Sequence, residues 1–394
     1  MRKQVIAVLA VAVLGLAAYH VISYDSNTGG SNRDDSPKRG PFDLADPPEL
    51  EPDDGLLQKI RERSSHEIGY IANDRSKAIY VVDLTDEQYL GRIVFRAEEP
   101  RGGPLFIAVT PNAEYFIVTR GKYSNDILII DSNSLELVKQ VPGGKYNDYI
   151  VFNPVRNEAY VLSGNYQDTN IYVLDLATLE IVKTIDIGCE INTADISPDS
   201  DTLYVATSQG VSFVDVTSGE VFREIPVNTT YWKRVLAHPA NGCIYVVNNP
   251  DVEERWPMIH VFNASNGENT HNIKHLTIDK TWDGAITGLA MTPNGDRLFS
   301  VSQLNELTVI DTATCQVIKT ISVKQPGYYG KPDWIYFNAQ ETKAYFIYYG
   351  AIPIDSPGPD TPSKIGVMDL GSYQFTHVIE LDEYAGAGVM AIVR

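Results

Sequence analysis

One frame recurs seven times along this 394-residue chain. In residues 171–185 a β-branched run ends at Asp175, Thr178 follows, Glu180 comes next, and a second apolar run begins. The frame returns at Asp83, Asp131, Asp215, Asn263, Asp311 and Asp369, with anchor spacings of 48, 44, 40, 48, 48 and 58 residues. The position five beyond each anchor is Gln88, Glu136, Glu180, Glu220, Glu268, Gln316 or Gln374, an acid or its amide every time. A carboxylate beside a hydroxyl at the end of an apolar run suits a tight hairpin turn, where both take up backbone N–H groups. Seven equivalent acids at one turn are structural, not catalytic.

A second signature precedes each anchor: an apolar strand, a turn such as Pro-Asn or Pro-Asp, and another strand. It is seen at Pro111, Pro154, Pro198, Pro239 and Pro293, and without proline at Ala339. Four short strands repeated seven times predict an all-β chain folded as a seven-bladed β-propeller of four-stranded blades. The first repeat supplies three strands, at about 67–72, 78–83 and 90–95, and the chain ends in an apolar strand at 386–394. That last strand is expected to complete blade one from the inside and remove an open edge.

The units PDSDTLYVAT…VSFVDVTSGEV (residues 198–221) and PNGDRLFSVS…LTVIDTATCQVIKTI (293–321) resemble the YVTN-type propeller repeat, related to the β-chain propellers of quinoprotein amine dehydrogenases. The resemblance covers about residues 65–394 and implies fold more than function. In those dehydrogenases the redox cofactor lies in a partner chain, and this sequence has no cofactor-attachment motif. A WD-repeat propeller is not indicated, since Trp282-Asp283 does not sit at a repeat position.

Residues 1–24 read as a signal peptide or signal anchor: Arg2 and Lys3 precede an uncharged apolar run from Val5 to Ile22. Residues 25–64 are rich in Asp, Pro, Gly and Ser and read as a flexible linker, leaving 65–394 as the propeller. The remainder is then exported to a periplasm, cell surface or exterior, tethered through residues 5–22 if uncleaved. Asn228 and Asn263 head glycosylation sequons for a eukaryotic secretory pathway. A net charge of −19 argues against nucleic acid and anionic membrane surfaces as partners. Cys189, Cys243 and Cys315 are far apart with no C-x-x-C, so neither a zinc site nor a disulfide framework is expected; they read as small hydrophobes.

The loops that lead into the inner strands carry Tyr146, Tyr231, Trp232, Trp282, Tyr328, Tyr329, Trp334 and Tyr384. Aromatics interleaved with charges suit recognition of a glycan, an amine, another small ligand or a protein. Aligned six residues before the turn proline stand Leu105, Asp148, Asn192, Lys233, Thr287 and, before Ala339, Asp333, a candidate ring at the channel mouth. No resident cofactor is expected, although Asp148, Asn192 and Asp333 would suit Ca²⁺, which Lys233 and Arg234 would oppose. Asp148, Asp283 and Asp333 are the candidate catalytic acids, but G-x-S-x-G, H-E-x-x-H and a phosphate loop are all absent. Three readings follow: a recognition propeller, a lactonase-like hydrolase or isomerase using channel carboxylates, and a structural subunit of an exported oxidoreductase.

Overall fold

The computed structural model describes residues 44, 46–96, 102–120, 124–144, 147–164, 168–227, 234–249, 257–274, 285–324, 332–348, 363–381 and 388–394. These form seven antiparallel sheets; in blades two to seven the first strand is innermost, and in blade one the last strand of the chain takes that place. Blade three shows the plan: Asn147–Asn153, Glu158–Ser163, Asn170–Asp175 and Glu180–Asp186 pair in chain order. The innermost strands of blades one to seven (Gly388–Val393, Pro104–Val109, Asn147–Asn153, Ile191–Ile196, Val235–Ala237, Ile286–Met291 and Pro332–Phe337) follow one another around the centre. The closing strand is where the sequence placed it, with Ile68 opposite Val393 and Asn73 opposite Gly388. The chain is a seven-bladed β-propeller.

Two sets of polar side chains make the hairpins. At the anchors, Asp175 Oδ1 accepts the Thr178 N–H and hydroxyl (2.6 and 2.7 Å), and the Ser134, Ser218, Thr314 and Ser372 N–H groups reach Asp131, Asp215, Asp311 and Asp369 likewise. The fourth residue after each anchor has left-handed φ in all seven turns: Glu87, Leu135, Leu179, Gly219, Gly267, Cys315 and Tyr373. The second set comes just before the proline positions. Asn73, Thr110, Asn153, Ser197, His238, Thr292 and Asn338 are all buried, and each accepts a turn N–H, as from Thr202 to Ser197 Oγ (2.9 Å).

His238 shows how literal this grammar is. Its Nδ1 accepts the Ala240 and Asn241 N–H groups at 3.0 and 2.9 Å, so the proton resides on Nε2, which donates to Gly295 O at 3.1 Å. Burial holds the imidazole below its ordinary pKa, in the neutral form that this bonding needs. Gly295 is required on two counts, a φ of +82° and a Cβ that would stand 2.8 Å from the His238 ring.

The core lies between blades. Seven apolar clusters occupy the seven seams, one to each neighbouring pair. Central strands are buried on both faces, as in Ala78–Asp83, while outer strands such as Glu180–Asp186 alternate exposed and half-buried. Tyrosine hydroxyls cross three seams: Tyr345 donates to Leu84 O (3.1 Å), Tyr245 to Thr312 O (3.4 Å) and Tyr348 to Val323 O (2.7 Å).

Part of the stretch expected to be linker is structured. Glu49–Pro52 pairs with Gln88–Arg96 as a fifth strand of blade one, and a short helix, Leu56–Arg61, follows. Asp53 Oδ2 accepts the Arg92 N–H (2.9 Å), and Leu56 is fully buried in the cluster that holds Leu90. The physical reason is local. At the position of Leu90 in its blade, blades two, three, four and six expose Val138, Val182, Phe222 and Ile318, whereas here Leu50, Leu56 and Leu57 supply a cover that average composition conceals. Residues 1–24 lie outside the described residues, and among those described no helix is long and apolar enough to cross a membrane.

Deleting residues 388–394 strands the edge of Ile68–Asn73; the truncated chain is expected to lose its cooperative thermal transition and elute as aggregate on size exclusion, and a monomer with the parental melt would contradict the closure. The buried Arg120 guanidinium makes a bidentate pair with buried Asp126, its Nε at 2.9 Å from Oδ1. Arg120→Met leaves that carboxylate uncompensated and is expected to cost about 3 kcal/mol in urea unfolding, with Asp126→Leu in the same chain recovering part of the loss.

Candidate functional site

Five of the inner strands shift register near their start. The shifts lie between Pro104 and Phe106, Asn147 and Tyr149, Ile191 and Thr193, Ile286 and Gly288, and Pro332 and Ile335. The residues skipped are Leu105, Asp148, Asn192, Thr287 and the pair Asp333-Trp334, so the expected ring falls on a recurring β-bulge. A bulge inserts one residue and re-aims its neighbours. The side chains that meet are Phe106 and Tyr149, one position past their bulges, Trp334 within the bulge of blade seven, and Arg234 just before the inner strand of blade five.

These four converge from blades two, three, five and seven. Tyr149 stacks with Trp334 at 6.1 Å between centroids, and Phe106 approaches Tyr149 at 5.1 Å and Trp334 edge-on at 5.9 Å. The Arg234 guanidinium carbon stands 4.2 Å from the Trp334 ring centroid. Blade seven does not neighbour blades two and three, so Trp334 reaches across the channel instead of wedging between adjacent blades. Its ring meets aromatic neighbours and a cation inside a half-buried space, a setting that strengthens cation–π attraction.

The stack is held from the backbone. Arg234 Nε donates to Thr287 O of blade six at 2.7 Å, which fixes the guanidinium over the indole. In blade four, Thr193 Oγ1 accepts the Val235 N–H (3.1 Å) and Asp195 Oδ2 accepts the Ala237 N–H (2.8 Å), tying the neighbouring inner strand. Asp195 lies on the inner strand of blade four and is half-buried by surface area, with protein packed densely around its carboxyl. Burial pushes its carboxyl up to about 6, against the pull of the Ala237 and Ile196 N–H groups. Burial raises the Tyr149 hydroxyl to about 12; the Asp195 charge adds to the rise and Arg234 opposes it. The arrangement offers an aromatic face, a cation and a carboxyl that titrates near neutrality.

Of the residues expected at this site, Trp334 is in the stack and Asn192 is half-buried at its bulge. Thr287 is buried, and its hydroxyl donates to Val301 O (3.5 Å) within its own blade. Asp148 and Asp333 have the backbone positions given above. Tyr146, Asn228, Tyr231, Trp232, Lys233, Trp282, Asp283, Tyr328, Tyr329 and Tyr384 lie outside the described residues. Asn263 is the turn anchor of blade five, its Oδ1 taking the Ser265 N–H at 2.9 Å. Phe106, Tyr149 and Asp195 are not among the residues expected here, and Arg234 is expected only as a charge that would oppose a metal. Counting five rather than six residues back from the proline positions would have found Phe106, Tyr149, Arg234 and Trp334 together.

Among the described residues, one group of three metal-ligating types lies at the opposite end, His66, Asp83 and Asp86. His66 Nδ1 and Arg63 Nε stand 2.7 and 2.9 Å from Asp83 Oδ2, and Asp83 Oδ1 accepts the Thr85 and Asp86 N–H groups. The arginine supplies the positive charge that a metal would, so the group reads as a turn with its ion pair.

The chain matches no protein-family model. It is 31% identical over 86 residues to the uncharacterized protein YncE of Salmonella typhimurium strain LT2 and 30% identical to that of Salmonella typhi; the match spans 22% of this chain and 24% of each relative. Among solved structures, hydrazine synthase of Kuenenia stuttgartiensis is similar with a TM-score of 0.62 and 18% identity, over 79% of this chain and 92% of that one. The dihydro-heme d1 dehydrogenase NirN follows at 0.57 and 12%, over 83% and 74%. The Cps50 (Swd1) β-propeller domain of Myceliophteria thermophila follows at 0.54 and 10%, over 70% and 86%. At these identities the likeness is one of fold.

The raised carboxyl makes a pH prediction. With a folded value of about 6 against an ordinary 3.8, Asp195 binds a proton in the native state that the unfolded chain releases, so its ionisation costs stability as pH rises. Asp195→Asn is expected to gain over the parent at pH 7, and that gain to shrink by on the order of 2 kcal/mol towards pH 4. Urea midpoints across this range check it, and a constant difference would refute the assignment.

Proposed function

We propose that the protein is an exported or membrane-anchored propeller that binds a ligand or a protein partner through its aromatic channel face. One observation carries the reading: Trp334 spans the channel to stack on Tyr149 and under Arg234. Trp334 comes from blade seven yet packs, with Tyr149, on the apolar cluster between blades two and three, and packing between adjacent blades does not need the half-buried Arg234 cation placed over its ring. The stack lies near the starts of the inner strands, and in the sequence the segments bearing Tyr146, Tyr231, Trp232, Trp282, Tyr328 and Tyr329 precede those strands. A planar or apolar ring seated on this stack would meet Trp334, with Arg234 within reach of a carbonyl or an anionic group on the same molecule. The basic and apolar start of the chain supports the export part of this reading.

A second reading has one observation of its own. A carboxyl near pKa 6 beside a tyrosine suits acid–base work on a small substrate such as a lactone. A subunit role in an exported oxidoreductase has fold likeness behind it and no residue of this chain.

Native mass spectrometry of the full-length protein taken from the exported fraction, beside its denatured mass and an elemental assay for calcium, tests the binding reading. A retained molecule or captured partner is expected in the parent, kept by Trp334→Phe and lost by Trp334→Ala without change in melting temperature. Equal retention by Trp334→Ala would move the site elsewhere. Lactone turnover abolished by Asp195→Asn would favour the enzyme.

A further inference from the structure

Cys243 opens the second strand of blade five, Cys243–Asn248, two residues before Tyr245, so the two side chains share one face of the blade. That face looks onto blade six: the Tyr245 hydroxyl donates to Thr312 O at 3.4 Å. Cys315, in the left-handed position of the blade-six hairpin, holds its Sγ 3.8 Å from the same Thr312 carbonyl. Both sulfurs pack half-buried against the one apolar cluster that fills the seam between blades five and six.

We propose that Cys243 and Cys315 form a redox pair that closes as a disulfide across the seam between blades five and six. Supporting this, burial raises both thiols, and the Cys243 sulfur adds to the rise at Cys315, which puts the two within electrostatic reach of each other. Cys189 has no part in it. It precedes the inner strand of blade four, at the channel-facing end, whereas Cys243 and Cys315 lie at the hairpins of the other end.

The chemistry balances with a small disulfide, such as oxidised glutathione, as electron acceptor. One cysteine loses its proton and attacks a glutathione sulfur, expelling glutathione thiolate and leaving a mixed disulfide. The second cysteine, deprotonated in turn, displaces the remaining glutathione and forms the protein S–S bond. Two protein thiols are oxidised, one glutathione disulfide is reduced to two thiols, and both protons pass to the departing thiolates. The bond joins strands of different blades and encloses residues 243–315, so it restricts the unfolded chain more than a link within one hairpin would. Reach is the demanding condition, since a disulfide needs its Cα atoms within about 7 Å.

The full-length protein, reduced and then held with oxidised glutathione, is the material for the test, both folded and refolded from urea in the same buffer. Alkylation after denaturation should count one thiol in place of three, mapped to Cys189. A non-reducing digest should link the Cys243 and Cys315 peptides, and the melting temperature should rise by several degrees and fall back with dithiothreitol. Cys243→Ser and Cys315→Ser should each prevent the link and the rise, and Cys189→Ser should leave both intact. Three thiols after refolding with oxidant, or separate glutathione adducts on Cys243 and Cys315, would overturn the proposal.

Discussion

Closing seven antiparallel sheets into a ring leaves one edge of each innermost strand facing the channel, where no further strand can pair with it. In this propeller, side chains reaching from the preceding blade meet several of those backbone groups. Thr193 and Asp195 of blade four take two N–H groups of blade five, and Asn249 both donates to and accepts from Ile286 of blade six at 2.8 Å. Arg234 caps the Thr287 carbonyl, and the Tyr336 hydroxyl accepts the Met390 N–H of the closing strand (2.8 Å). The polar lining of the channel is thus first a means of satisfying backbone. Any recognition site there is built on groups that the ring already needs, which is why Asp195 can remain at a depth where its charge is unfavourable.

The same logic separates what was legible in the sequence from what was not. The anchors and the closing strand are repetitive or terminal, and a single chain shows them by comparison with itself. The residues before the turn prolines were hidden because Asn, Thr, Ser and His perform one task with four chemistries, each offering an acceptor of suitable reach. The channel stack was hidden by geometry: a one-residue bulge changes which side chain faces inward, and no propensity of Leu105 or Asn192 announces it. Trp334 was found as a loop aromatic, yet its partner Tyr149 looked like an ordinary strand residue, and Arg234 was read as a charge against a metal rather than as a cation over an indole. The segment at 49–61 was misjudged because its charge and proline content outweighed three leucines that happen to meet an apolar patch.

With its core divided among seams, the molecule is stabilised by interfaces between repeats more than by any repeat alone. Side chains that cross a seam, such as Tyr245, Tyr345 and the Arg223 guanidinium donating to Ser265 O at 2.8 Å, then fix the angle between neighbouring blades. The channel stack depends on that angle, because its four members come from four blades and meet only when the ring has its proper pitch.

Blade one gathers both ends of the described chain, with Glu49–Pro52 outermost and Gly388–Val393 innermost. During synthesis this blade must wait for Gly388–Val393, so no nascent chain can complete the ring while that strand is still in the ribosome. Blades two to seven can pair beforehand, but the seams on either side of blade one stay incomplete until that strand arrives. The pairing that locks the ring therefore joins the two most distant parts of the described propeller, and every other blade can stand ready before it forms.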